Sequence, residues 1–231
     1  PAIASKWIRA QSALACGADL IIEIPFTFAC ASAERFSSGA ITLLASTGIV
    51  TDLYFGSDTE DLTLLQTIAG ILCDKPRSLE TSIRTYLQDG QSYAAARETS
   101  LLEYLESEGR QDILPNVSAA LRAPNSILAI EYLIACQKTD SSITPRLLPR
   151  AGSAYHEKSI ETPIPSASAI RKAILNCAQD EKISPATLAN TLFGTMPSSA
   201  LSPLISEWSR GIRPVFPKHF ASAYLLATRA R

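Results

Sequence analysis

Two short apolar runs with a helical segment between them constrain the fold of this chain more than any other feature. The first run, Asp-Leu-Ile-Ile-Glu-Ile-Pro at residues 19–25, ends at a proline, and the second, at residues 50–55, is followed by Gly56. Residues 32–47 separate the two runs and show the spacing of apolar side chains expected of a helix. Two such runs joined through one helix predict a parallel βαβ unit. We therefore expect an α/β fold with a Rossmann-like parallel sheet.

The other segments predict a helix-rich chain around this unit. A helix capped by Ser5 is expected at about residues 5–16, and a further strand at residues 143–148. The segment between Leu114 and Pro124 is expected to be a loop. Apolar residues that recur every three or four positions predict helices at about 60–72, 76–88, 91–108 and 124–138, and from residue 166 onward with breaks at Gly194, Pro197 and residues 214–217.

These patterns divide the chain into two predicted domains. Residues 1–178 are expected to form the α/β domain, with a helical insertion at about residues 60–110. Residues 179–231 are expected to form a helical extension, the start of a C-terminal helical region. At 231 residues and 46% hydrophobic residues, the chain can bury a core of this size.

Composition limits the class of protein. No apolar run approaches the roughly 18 residues that cross a bilayer, and the first residues do not resemble a signal peptide, so a cytoplasmic location is expected. The five cysteines are widely spaced and odd in number, which favours reduced thiols over bridges or zinc ligands, and no metal site is expected. Residues 132–231 carry 12 Lys and Arg against 6 Asp and Glu, a net charge of +6 that permits a polyanionic partner such as RNA.

The segment Ser-Ala-Ser-Ala-Ile-Arg at residues 166–171 is the strongest candidate for an anion site. It follows a proline-rich loop and opens a helical run, so unpaired backbone N–H groups are expected at its start. We expect Ser168 to cap the helix and Arg171 to supply a full positive charge, which together suit a phosphate. The alternative is an ordinary serine cap with a solvated arginine.

Further candidates lie where the predicted strands end, because open parallel sheets bind ligands at that edge. Gly56 lets the backbone approach a base or ribose, or it simply ends its strand. Asn125 reads a base edge with its amide, or it caps its own helix. Arg150 supplies a second cation for a polyphosphate, or it is a surface residue. His156, beside Tyr155, is a general acid or base, or it packs in its loop.

Neither a G-x-x-x-x-G-K-[ST] loop nor a G-x-G-x-x-G motif occurs, so nucleotide binding would need another motif. Several segments in order instead resemble the bacterial tRNA(Met) cytidine acetate ligases, members of the nucleotidyltransferase superfamily with the H-x-G-H signature. The matching segments are Pro1-Ala2, Ser5-Lys6-Trp7 with Arg9, residues 17–25, Ala33-Glu34-Arg35-Phe36 with Ser38-Gly39-Ala40, Phe55-Gly56-Ser57, residues 124–128 with Glu131-Tyr132, Arg150 with Tyr155-His156, and residues 166–171.

The resemblance implies an enzyme that activates acetate with ATP to acetyl-adenylate and then acetylates N4 of the wobble cytidine of elongator tRNA(Met). The family's ATP-contacting positions correspond to Gly56, Asn125, Arg150 and Ala151. Its phosphate-binding helix start corresponds to Ser168 and Arg171, with Mg²⁺ expected on the phosphates. The resemblance also makes residues 1–178 a nucleotidyltransferase-like domain. It assigns no catalytic residue and leaves the oligomeric state unknown.

The family's opening strand, H-x-G-H loop and helix would precede Pro1, and its C-terminal helical part would continue beyond Arg231. We therefore expect this chain to be an internal part of the enzyme and inactive alone. Two alternatives stay open from the sequence. One is another adenylate-forming nucleotidyltransferase without an RNA substrate, and the other is a non-enzymatic RNA-binding module.

Overall fold

The computed structural model describes residues 3–148, 165–179, 184–212 and 214. The chain divides into two compact units, one made of residues Pro1–Ile22 with Ala151–Arg231, the other of Glu23–Arg150. We call these the split unit and the central unit. The predicted domain boundary at residue 178 stays a prediction.

The central unit contains a two-stranded parallel sheet. Strand β1, Asp52–Gly56, pairs with β2, Thr144–Leu148, so that Gly56 lies opposite Leu148. Both strands were predicted, and their parallel pairing confirms an α/β fold. The helices of this unit carry most of its residues: α2 (Phe26–Ala29), α3 (Ala33–Ser46), α4 (Leu62–Asp74), α5 (Arg77–Gln88), α6 (Tyr93–Ser107), the 3₁₀ turn Gln111–Ile113, α7 (Leu114–Arg122) and α8 (Pro124–Lys138).

Helix α8 is the centre of this unit, because it packs against both α3 and α4 and contacts β1. Eight of its fifteen residues are buried, so it is apolar on several sides and has no exposed stripe typical of a surface helix. Tyr132 on α8 contacts Phe55 of β1, with ring centroids 5.9 Å apart, and Phe36 of α3, at 6.5 Å. Burial raises the pKa of the Tyr132 hydroxyl. These contacts fix α8 against the strand whose end carries Gly56.

One glycine of α3 allows its close packing. A Cβ atom added to Gly39 would lie 2.5 Å from the ring of Phe28, closer than real side chains approach. The ring therefore occupies the space that any other residue at position 39 would fill. The Ser38-Gly39-Ala40 segment quoted for the family resemblance thus has a packing role here.

The split unit contains four described helices: α1 (Lys6–Ala15), α9 (Ala167–Gln179), α10 (Pro185–Leu192) and α11 (Ser198–Ser209). Its core is formed by α9, α10 and α11, with Leu188, Leu192 and Ile174 almost fully buried. Helix α1 packs against α11, where the Ser12 hydroxyl donates to the carbonyl of Ala200 at 2.9 Å. Within the described ranges, no helix has the length and apolar character that a membrane crossing requires.

Most predicted helices are confirmed, and α1 begins as expected, with the Ser5 hydroxyl accepting from the Ile8 N–H. Two predictions of secondary structure are wrong. Residues 19–25 do not form a strand, and Leu20 within them is 60% exposed. A strand needs a partner for its backbone N–H and C=O groups, and the described structure gives this run none. The expected loop after Leu114 is helix α7, whose Pro115 lies in the first turn, where a missing N–H costs nothing.

Candidate functional site

The turn after β1 is anchored directly to the start of α8. The buried hydroxyls of Ser57 and Ser126 are hydrogen-bonded at 2.8 Å. The Asp58 N–H donates to the Ser126 hydroxyl at 3.2 Å, and the Thr59 N–H donates to the Ser57 hydroxyl at 3.3 Å. Ser57 directly follows Gly56, the last residue of the strand, and is therefore bonded to a residue 69 positions later in the sequence.

The Asp58 carboxylate occupies the N-terminus of α8. Its Oδ2 accepts from the backbone N–H of Asn125 at 2.9 Å and from that of Ser126 at 3.3 Å. Its Oδ1 accepts from the side-chain Nδ2 of Asn125 at 3.0 Å. The first N–H groups of a helix have no partner within the helix, and a carboxylate there also interacts favourably with the helix dipole. Asp58 thus caps α8 from another segment of the chain.

This arrangement excludes one of the two roles considered for Asn125. Asn125 is the second residue of α8, Ala123 is at the capping position, and no side chain of α8 itself makes the cap. The idea that Asn125 caps its own helix is therefore wrong. Its Nδ2 is held by Asp58, while its Oδ1 accepts no hydrogen bond from the described residues. The partly buried amide leaves an acceptor for a ligand.

Chemically, this end of α8 suits a neutral polar group better than a phosphate. The Asp58 carboxylate already satisfies the first N–H groups and brings negative charge to the helix start. Gly56 is exposed and has no side chain, so a flat ring can approach the backbone there. The structure therefore places Gly56 and Asn125 on two segments that hydrogen bonds tie together.

The start of α9, in the split unit, has a different chemistry. The Ser166 hydroxyl accepts from the Ala169 N–H at 3.2 Å, so Ser166 caps the helix. The prediction that Ser168 is the cap is therefore wrong, because Ser168 already lies in the first turn. Arg171 Nη2 donates to the Ser168 hydroxyl oxygen at 3.1 Å. Among the described residues, Arg171 pairs with no carboxylate, so its charge is not neutralised by a protein anion.

The remaining predicted positions lie outside the described residues: Arg150, Ala151, Tyr155, His156. Sequence reasoning missed Asp58 as the residue that holds Asn125. The only local signal was its place in the Gly-Ser-Asp segment that ends β1, since the partner lies 67 residues away. Ser57 and Ser126, buried and paired, were missed for the same reason.

A cavity of about 470 Å³ lies elsewhere in the central unit, among α3, α4, α5, α6 and α8. Its wall includes the partly buried ion pair of Arg97 and Glu131, with Nη1 and Oε1 at 2.6 Å. Neither Gly56 nor Asn125 lines it. The volume is adequate for a ligand, but none of the described residues that the sequence predicted for the site lines this cavity.

Comparison with known proteins gives the family. The model of the HIGH Nucleotidyl Transferase family matches residues 1–227. A tRNA(Met) cytidine acetate ligase of Syntrophomonas wolfei is 43% identical over 193 residues, covering 81% of this chain and 44% of the relative. Another, of Acetivibrio thermocellus, is 39% identical over 220 residues, covering 95% and 50%. The chain spans about half the length of the curated relatives it matches.

Solved structures agree with the sequence comparison. The apo structure of Thermotoga maritima TmcAL superimposes with a TM-score of 0.88 at 29% identity, covering all of this chain and 52% of the other. The same protein bound with alpha-thio ATP gives a TM-score of 0.85 at 28% identity, covering 100% and 50%. A family model that covers nearly the whole chain is the decisive match. The chain belongs to the HIGH nucleotidyl transferase family.

Proposed function

We propose that the protein to which this chain belongs is an ATP-dependent tRNA(Met) cytidine acetate ligase. The observation that carries the proposal is the likeness, over the whole chain, to a TmcAL structure that was solved with alpha-thio ATP bound. The relatives named tRNA(Met) cytidine acetate ligase support the same activity. Its partners would be ATP, acetate and tRNA(Met), and its location the cytoplasm.

The proposed reaction has two steps. An acetate oxygen attacks the α-phosphate of ATP, a new P–O bond forms, and the bond to the β-phosphate breaks, so that acetyl-adenylate and pyrophosphate result. The N4 amine of the wobble cytidine then attacks the acetyl carbonyl, loses a proton, and displaces AMP. The first step needs in-line geometry and positive charge on the departing pyrophosphate.

Gly56 and Asn125 are proposed to contact the nucleoside part of ATP. The support is chemical: an exposed glycine at the end of a parallel strand, and an amide whose Oδ1 is available and whose Nδ2 is held by Asp58. A negative carboxylate beside them disfavours phosphate at this position. The base or ribose therefore fits the end of β1 better than the triphosphate does.

Ser168 and Arg171 are proposed to bind phosphate oxygens, with Arg150 as a second cation for the polyphosphate. The family resemblance implies that Arg150 and Ala151 contact ATP. Arg171 holds the Ser168 oxygen as an acceptor, which leaves the hydroxyl hydrogen able to donate to an anion. The guanidinium has further N–H groups for the same anion. Both arginines act as electrostatic clamps and transfer no proton in the reaction.

We expect Mg²⁺ to accompany ATP as its phosphate complex. Within the described part of the chain, no group of three or more His, Cys, Asp or Glu side chains could hold a metal ion. Mg²⁺ bound with a nucleotide usually has phosphate oxygens and waters as its main ligands. Bound in this way, Mg²⁺ would neutralise charge on the triphosphate.

The direct test is pyrophosphate exchange by the full-length protein. With ATP, Mg²⁺ and labelled pyrophosphate, label should enter ATP only when acetate is present, and a tRNA(Met) transcript should gain an acetyl group on its wobble cytidine. Arg171→Ala should reduce the exchange strongly. Arg122→Ala should not, because Arg122 is exposed and pairs with Glu98 on the central unit.

Other outcomes would contradict the proposal in distinct ways. Exchange driven by a different carboxylic acid, with acetate inert, would indicate an adenylate-forming enzyme without this substrate. No exchange with any acid, together with tight RNA binding, would indicate an RNA-binding module.

A further inference from the structure

The carboxylate of Asp58 controls which face of the Asn125 amide a ligand meets. We propose that Asp58 is a positioning residue for base selection: it turns the Oδ1 of Asn125 outward, so that the site accepts a purine with a 6-amino group and rejects one with a 6-oxo group. This inference rests on the proposed function, because it concerns the nucleotide bound near Gly56 and Asn125.

The orientation follows from hydrogen-bond chemistry. An ionised carboxylate only accepts, so the Asn125 amide must present its Nδ2 to Asp58 Oδ1, as observed at 3.0 Å. The opposite rotamer of the amide would place Oδ1 against a negative oxygen. The Oδ1 atom therefore faces away from Asp58 and carries no hydrogen bond from the described residues.

The carboxylate itself has little freedom to turn. Its Oδ2 is held by the two backbone N–H groups of Asn125 and Ser126, at 2.9 and 3.3 Å. The Asp58 backbone is fixed by its N–H bond to the Ser126 hydroxyl, which in turn bonds the buried Ser57 hydroxyl. Oδ1 is thus left in a single place, and the amide is preorganised before any ligand binds.

Selectivity follows from what the free acceptor can meet. A 6-amino group donates a hydrogen bond to Oδ1, whereas a 6-oxo group is itself an acceptor and would be repelled. Sites built to hydrogen-bond one group reject an analogue that lacks it, because a polar atom is then left unpaired. ATP and ITP differ at this position and suit the test.

The substitution Asp58→Asn separates positioning from capping. In this variant the Oδ1 of the new side chain can still accept from the two backbone N–H groups, so the α8 cap remains. Its Nδ2 would take the place of the Asp58 Oδ1 and face the Nδ2 of Asn125, donor against donor. The Asn125 amide should therefore flip and present its own Nδ2 to the ligand.

The experiment measures equilibrium binding of ATP and ITP to the full-length protein. Wild type should prefer ATP by about tenfold or more, and Asp58→Asn should remove or reverse that preference, with ITP binding improved. Asp61→Asn is the matched control, because Asp61 caps α4 through the Leu64 N–H and makes no bond to Asn125. The preference of Asp61→Asn for ATP over ITP should equal that of wild type.

A merely structural role for Asp58 would lower the binding of both nucleotides equally, and that result overturns the inference. In Asn125→Ala the ATP preference should vanish, and adding Asp58→Asn should then change it no further. A preference for ATP that changes on Asp58→Asn in a protein that already lacks the Asn125 amide would also overturn the inference.

If wild type binds ATP but its preference is unchanged in Asp58→Asn, only this inference fails. If wild type binds neither nucleotide, the proposed function fails with it.

Discussion

The starts of α8 and α9 differ in the charge of the side chain beside them, a carboxylate at α8 and a guanidinium at α9. At α8, a carboxylate from the turn after β1 satisfies the first N–H groups. At α9, the helix's own Ser166 makes the cap, and Arg171 one turn later binds the Ser168 hydroxyl. A helix N-terminus alone therefore does not indicate what binds there. The neighbouring charge does: the first end suits a neutral polar ligand group and the second suits an anion.

The largest effect that this comparison predicts is loss of phosphate binding on Arg171→Ala. Charged hydrogen bonds contribute about 1.5–3 kcal/mol, so the kcat/KM of acetate-dependent pyrophosphate exchange should fall about 10- to 100-fold. Ser168→Ala, which removes one neutral donor, should cost only a few-fold. Equal losses in the two variants would contradict the assignment of the charge to Arg171.

Removal of the carboxylate at α8 should mainly affect stability. Asp58→Ala leaves two backbone N–H groups and one amide without their acceptor, so unfolding should require about 1–3 kcal/mol less free energy. Asp61→Ala removes one such bond, from Leu64, and should cost about 1 kcal/mol. Denaturant unfolding followed by circular dichroism compares the two. A smaller loss for Asp58 than for Asp61 would show that Asp58 is not a cap.

A smaller change separates the two serines of α9. Ser166→Ala should destabilise the split unit by about 1 kcal/mol, because it removes the cap. Ser168→Ala should leave stability almost unchanged, since this side chain lies within the first turn and caps nothing described. Thermal unfolding of both variants provides the measurement. A larger loss of stability in Ser168→Ala than in Ser166→Ala would indicate that Ser168 is the cap.

The smallest predicted effect lies on the sheet, away from both helix starts. Arg146 Nε donates to Asp52 Oδ1 at 2.9 Å, and this bond lowers the pKa of Asp52 below its ordinary value of 3.8. The pair therefore adds stability above that value, and the contribution disappears as the pH falls through the lowered pKa. Arg146 and Asp52 are both accessible to solvent, with side chains 55% and 32% exposed, so the contribution is small. Unfolding of wild type and Arg146→Gln should differ slightly at pH 7 and converge in strong acid; a gap that widens on acidification would contradict this sign.

The elements found from the sequence are those whose signals are local. Helix α1 follows from Ser5 and a regular apolar spacing, and β1 and β2 follow from short apolar runs with clear ends. Residues 19–25 show the limit of such signals. An apolar run indicates that burial or strand pairing is favourable. Whether a partner strand lies beside it depends on the fold of the rest of the chain. Helix α7 was missed because Pro115 indicates a break unless it lies in the first turn of a helix.

The candidate site shows the same difference between local signals, which the sequence reveals, and long-range contacts, which it does not. Gly56, Asn125, Ser168 and Arg171 were identified by segment patterns and by the family resemblance. The contact that orients Asn125 was not, because Asp58 lies 67 positions away and no periodicity connects the two. Long-range hydrogen bonds depend on how the turn after β1 meets the start of α8, which is a property of the packed core.

The most direct test is a titration of the full-length protein with ATP at fixed Mg²⁺ and salt. We predict saturable binding, weakened about tenfold or more by Arg171→Ala, weakened to a lesser degree by Asn125→Ala, and unchanged by Arg122→Ala. An affinity that neither Asn125→Ala nor Arg171→Ala alters would contradict the nucleotide site.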